Sequence, residues 1–127
     1  MDKDVIRTES APAPFQGAPY NQAIRVGDLV FVAGQLGLAP DETTIAGDAA
    51  TQTEQVMRNL AAILDAAGTG LDKLVKTTVF LQHLEDFAAM NEVYARHVGD
   101  RPPARSTVEV AKLPSGALVE IEAVAHV

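Results

Sequence analysis

A chain of 127 residues, 47% hydrophobic and 21% charged, has the length and composition of one globular domain spanning 1–127, and no apolar run approaches the ~20 residues of a membrane span. The absence of cysteine excludes disulfides, thiolate metal ligands and a thiol nucleophile, and a formal net charge of −7 opposes the attraction to phosphate on which nucleic-acid binders depend, so a nucleic-acid partner is not expected. The start Met1-Asp2-Lys3-Asp4 has neither the basic nor the apolar region of a secretory signal, which predicts a cytoplasmic protein.

Residues 1–23 contain Ala11-Pro12-Ala13-Pro14 and Ala18-Pro19, which disfavour helix and predict an extended, partly ordered lead-in. The apolar runs 23–26 and 29–33 flank Gly27-Asp28, a two-residue loop typical of a hairpin because glycine supplies the positive φ such turns require. Gly34-Gln35 closes the second strand and 36–47 reads as loop. Over 48–67 the apolar positions Val56, Leu60, Ile63, Leu64 and Ala67 follow helical spacing, with Met57 in the same stripe, Asp48 as N-cap and Gly68 at the far end. Residues 73–81 predict a strand in which Val75, Val79 and Leu81 oppose Lys76, Thr78 and Phe80. A second helix follows over about 85–98, with Phe87, Met90, Tyr94 and Val98 in one stripe. Pro102-Pro103 then stops helix and feeds the chain into extended structure.

The last stretch alternates with period two on both sides of Lys112-Leu113-Pro114-Ser115-Gly116, which predicts an antiparallel hairpin of two closing strands. Either register of that hairpin places Arg105, Thr107, Glu109, Glu120 and Glu122 on one face. The residues alone admit two readings of it: a solvated sheet face with cross-strand ion pairs, or an anion site in which the planar fork of Arg105 grips a carboxylate while a neighbouring glutamate handles protons. His83, His97 and His126 fall on three separate elements without metal-ligand spacing, so no metal is expected. The element order is β-β-α-β-α-β-β, an α+β domain with two helices on one face of a mixed sheet.

The strings Pro103-Ala104-Arg105-Ser106, Val108-Glu109-Val110-Ala111 and Val119-Glu120-Ile121-Glu122-Ala123 resemble the closing signature of the RidA/YjgF family of small enamine/imine deaminases. Val75-Lys76-Thr77-Thr78-Val79-Phe80 and Ala18-Pro19-Tyr20-Asn21-Gln22 extend the resemblance, Ala18 replacing a glycine. It implies the chorismate-mutase-like fold, a homotrimer with clefts between subunits, and hydrolysis of 2-imino acids such as 2-iminopropanoate and 2-iminobutanoate to 2-keto acids and ammonia, without a cofactor. In those terms Arg105 holds the substrate carboxylate and Glu120 serves the attacking water, with a pKa expected to be raised. Tyr20, Gly34, Asn91 and Thr107 line the pocket. From the residues alone, Tyr20 can equally pin the N-terminal arm, Gly34 end a strand and Asn91 sit on a helix surface, while Glu109 and Glu122 read as ion-pairing residues. Many members carry cysteine where Thr107 stands, so thiol chemistry at that position cannot operate here. A non-catalytic keto-acid binder and an RNA-directed activity are the competing readings.

Overall fold

The computed structural model describes residues 2–127 as one six-stranded sheet with two helices packed on one of its faces. The strands are β1 (Lys3–Ile6), β2 (Ala23–Val26), β3 (Leu29–Leu36), β4 (Leu74–Leu81), β5 (Ala104–Glu109) and β6 (Val119–His126), and the helices are α1 (Ala49–Ala66) and α2 (Phe87–Val98). The lead-in thus holds a strand that alternation did not predict: Lys3–Ile6 pairs antiparallel with Ala23–Val26 at the sheet edge. Its four residues are too few to display a period, and three of them are exposed.

The β2–β3 hairpin turns at Gly27, whose φ of 58° favours glycine. Asp48 caps α1 by accepting a hydrogen bond from the Thr51 backbone N–H at 2.9 Å. A short 3₁₀ turn, Leu84–Asp86, precedes α2. Val75 departs from its predicted place in the core: a register shift between Leu74 and Lys76 turns it outward, leaving it exposed.

Strand order is β1-β2-β3-β6-β4-β5, antiparallel throughout except for the parallel pair β4 and β5. A parallel pair needs a crossover, and α2 supplies it. The predicted closing hairpin therefore does not form. Residues 110–118 are longer than a tight hairpin loop, and they carry the chain past β4 so that β6 inserts between β3 and β4.

Val30, Val32, Val79, Leu81, Ile121, Ala123 and Ala125 face the helices and meet Val56, Met57, Leu60, Ile63 and Leu64 of α1 with Met90, Tyr94 and Val98 of α2. Each large apolar side chain buried this way is worth roughly 1.5–3 kcal/mol. His97 ties the helices together, its Nε2 lying 2.9 Å from Glu54 Oε1, and that hydrogen bond, followed by the one from Arg58, holds the Glu54 carboxyl below the usual range. The other sheet face carries neither α-helix: at one end Leu36 and Phe80 pack with Leu113 and Ala117 of the segment before β6 and with Phe15 of the lead-in, and the remainder is bare. Val5, Leu29, Phe31 and Val108 are all exposed, Phe31 at 46%, and no helix covers them.

One buried amide fixes the end of β3. Asn59 is 1% exposed and donates from Nδ2 to the carbonyls of Leu36 at 3.1 Å and Leu38 at 2.9 Å. Asn59→Ala should cost about 1–3 kcal/mol, because buried carbonyls lose their donor, and lower the melting temperature by several degrees in calorimetry.

Candidate functional site

Strand pairing determines which side chains share a face. Across the parallel pair, Arg105 stands beside Thr77, Thr107 beside Val79 and Glu109 beside Leu81, all on the helix side. Across the antiparallel pair, Glu120 stands beside Phe80 and Glu122 beside Thr78, on the bare side. The predicted common face of Arg105, Thr107, Glu109, Glu120 and Glu122 is therefore split within one subunit: the first three look toward α2 and the two glutamates of β6 look away from it.

On the helix side, the guanidinium of Arg105 lies over the Tyr94 ring, 4.8 Å from its centroid, and 5.6 Å from that of Phe87. Tyr94 is locked by a 2.6 Å hydrogen bond to the Thr77 hydroxyl, and burial, the main cause, pushes its phenol up, so the platform stays neutral. Among the described residues Arg105 makes no ion pair; its other polar contact is Met90 Sδ at 4.0 Å. A stacked cation without an anion is prepared for an external one. Asn91, Pro102, Pro103 and Arg105 help line a depression of about 380 Å³, and the Asn91 Oδ1 is itself buried without a hydrogen-bond partner. Thr107 is half-buried on the same face and does not line this depression. Glu109 has a local task, its Oε1 accepting from the Leu84 N–H at 2.8 Å.

On the other side, Glu120 lines a cavity of about 350 Å³ together with Gly34, Gln35 and Leu36 of β3, Pro114, and Pro12, Ala13, Phe15, Tyr20 and Gln22 of the N-terminal arm. Burial in this largely apolar setting, with the Glu122 charge as a smaller second cause, holds the Glu120 carboxyl above the usual glutamate range. The carboxylate rests against Gly34: a Cβ there would stand 2.7 Å from Glu120 Oε2. Tyr20 lines the cavity, and its hydroxyl accepts a hydrogen bond from the Phe15 N–H of the arm.

The structure thus brings Tyr20, Gly34 and Glu120 together in one place and Arg105 and Asn91 in another. Sequence reasoning assigned no role to Gln22 and read Phe87 and Tyr94 only as a core stripe. The available signal for the two rings was their i, i+7 spacing on the helix that precedes the Arg105 strand. Among the described residues no group of three or more His, Asp or Glu side chains is arranged to hold a metal ion, and no helix is long and apolar enough to cross a membrane.

The class that these features define is a small α+β domain presenting a carboxylate and a stacked guanidinium on opposite faces of one sheet. A family model described as Endoribonuclease L-PSP matches residues 8–127. A RutC family protein of Pyrococcus abyssi is 50% identical over 127 residues, covering 99% of this chain and 98% of that one. The chloroplastic Reactive Intermediate Deaminase A of Arabidopsis thaliana is 45% identical over 126 residues, covering 98% of this chain and 66% of that one. Among solved structures, Escherichia coli TdcF with bound serine superposes with a TM-score of 0.90 at 38% identity, covering 98% of each chain. The chain belongs to the RidA/YjgF family.

The contact between Gly34 and Glu120 makes a specific prediction. Gly34→Ala should leave the fold intact, since the clash is with the far end of a flexible side chain, and shift melting by only a few degrees. It should displace the carboxylate by about 1 Å in a crystal structure and reduce any turnover that depends on Glu120 by about 100-fold.

Proposed function

We propose that the protein hydrolyses 2-imino acids, 2-iminopropanoate and 2-iminobutanoate among them, to 2-keto acids and ammonia, in clefts between the subunits of a homotrimer. The observation that carries this reading is the separation of Arg105 from Glu120 by the thickness of the sheet: each half-site lacks what the other holds, and a ring of copies joins the helix-side face of one subunit to the bare face of the next. The exposed apolar side chains of the bare face supply the surface to be buried on assembly. A relative bearing the name of a reactive intermediate deaminase supports the chemistry, and TdcF with bound serine supports a small carboxylate ligand. An RNA-directed activity, which the family model's description suggests, is opposed by the net charge of −7.

In the cleft, Arg105 binds the substrate carboxylate through two parallel hydrogen bonds, held flat by Tyr94 and Phe87. Water attacks the C=N carbon as Glu120 accepts its proton. The C=N π electrons move to nitrogen, giving a carbinolamine, and the proton on Glu120 passes to that nitrogen. Glu120 then takes the hydroxyl proton and returns it to the amino nitrogen, so that the O–H electrons form the C=O bond as the C–N bond breaks and nitrogen leaves with its electron pair as neutral ammonia. Glu120 ends as it began, and no cofactor is required. Tyr20 and Gly34 shape the Glu120 side of the cleft and Asn91 the Arg105 side, with the Thr107 hydroxyl two residues along the same strand face, outside the depression.

Arg105→Ala should lower both keto-acid binding and kcat/KM by ~100-fold or more, from the ~3 kcal/mol that such contacts carry, and Arg105→Lys should resemble it. Glu120→Gln should cut turnover by a factor on the order of 100 to 10,000 with little change in keto-acid binding. Co-expression of the two inactive variants is the decisive measurement. In randomly mixed trimers three quarters of the rings contain both chains and each such ring has one intact cleft in three, so about a quarter of wild-type activity should return. Mixed trimers that stay inactive would refute the shared cleft.

The raised Glu120 pKa sets the pH dependence. The base works deprotonated, so kcat/KM should fall as pH drops through a midpoint above the ordinary glutamate range. In a profile of kcat/KM against pH, that limb should vanish in Glu120→Gln.

A further inference from the structure

Residues 7–20 form an irregular arm that walls the Glu120 cavity through Pro12, Ala13, Phe15 and Tyr20. Ala11 is the arm's one buried apolar side chain, and Phe15 packs, partly buried, against Leu36, Leu113 and Ala117. The tether is Gln22, which is 3% exposed. Gln22 Nε2 donates to the carbonyls of Thr8 at 3.0 Å, Ala11 at 3.2 Å and Pro12 at 2.7 Å, and Oε1 accepts from the Thr8 N–H at 2.7 Å. The backbone carbonyl of the same residue accepts from the Ala33 N–H at 2.9 Å, next to the glycine on which the Glu120 carboxylate rests. One side chain and its own backbone therefore join the arm to the strand that seats Glu120.

We infer that Gln22 is a positioning residue whose amide fastens the arm as a wall between Glu120 and water. The inference rests on the proposed function only in giving Glu120 its role as proton acceptor. Few ionisable groups face that carboxyl. Within the subunit, Glu122 lies on the same strand, Tyr20 is the one other ionisable group lining the cavity, and the partner on β4 is Phe80, with Lys76 further along that face; across the proposed cleft stands Arg105 of the neighbouring subunit, which neither Gln22→Met nor Phe15→Ala alters. Desolvation leads the causes of the raised Glu120 pKa and the Glu122 charge follows, so admitting water removes the larger cause and leaves the smaller. A purely structural Gln22 would affect stability and leave the titration of Glu120 alone.

The test is an NMR pH titration of the Glu120 carboxyl carbon in protein carrying ¹³C-labelled glutamate, with the resonance assigned from Glu120→Gln, and with hydrogen exchange read at the Thr8 amide. Gln22→Met keeps the length of the side chain and removes its hydrogen bonds. Thr8 protection should fall by about tenfold or more, and the Glu120 midpoint should move down toward the ordinary glutamate range. Phe15→Ala opens the wall with the tether intact, so the midpoint should move down with Thr8 still protected. An unchanged midpoint in Gln22→Met despite lost Thr8 protection overturns the inference. Should Gln22→Met not fold, an unchanged midpoint in Phe15→Ala overturns it, since the arm is then not the wall. Because the titration needs no substrate, a protein without imine hydrolase activity would sink the proposed function and leave this result standing.

Discussion

The parallel pairing of β4 with β5 is the constraint on which the rest of this molecule depends. It obliges the chain to cross over through α2, which places two aromatic rings of that helix above Arg105. It makes β5 an edge strand and leaves the slot beside β4 to β6. Its register sends Arg105 toward the helices, while the separate antiparallel register of β6 on β4 sends Glu120 away from them. A one-residue slip of β5 would reverse its faces, placing Ser106 under the rings and Arg105 on the bare side.

The two halves solve opposite electrostatic problems. Arg105 is kept charged and available: its partners are π faces and a thioether, which orient the fork without neutralising it. Glu120 is made basic by deprivation, as apolar walls and a neighbouring carboxylate disfavour its ionised form. Neither effect uses a strong ion pair, and the ion pairs present, Arg58 with Glu54 and Arg96 with Glu92, lie on the helices as i, i+4 surface pairs worth a few tenths of a kcal/mol.

Much of this could be read from the residues because local chemistry dictated it. The Gly27-Asp28 turn, the Asp48 cap and the helical stripe of α1 each depend on neighbours within a few positions and stand where the pattern put them, and in the α2 stripe Met90, Tyr94 and Val98 are buried while Phe87 is exposed. What failed was non-local. Alternation in 105–109 and 119–126 reports that each strand has two faces; it does not say which strand is its neighbour, and a hairpin was inferred where β4 intervenes. The short strand Lys3–Ile6 shows too few residues for a period. Gln22 stands in the string that carries the resemblance, but its task was not legible because a polar residue beside a proline-rich segment reads as loop, whereas its amide is spent entirely on backbone partners 10 to 14 residues away.

Placing the guanidinium and the carboxylate on opposite faces also bears on how such a scaffold diverges. The side chains that support Arg105 come from α2, and those that enclose Glu120 come from the arm, β3 and Pro114, with no residue lining both depressions. Drift in one set leaves the other undisturbed within the subunit. A lineage can therefore lose the buried carboxylate and keep the stacked guanidinium, or reshape the arm while the aromatic platform under Arg105 persists. The sheet acts as a partition between two sets of side chains that can change independently.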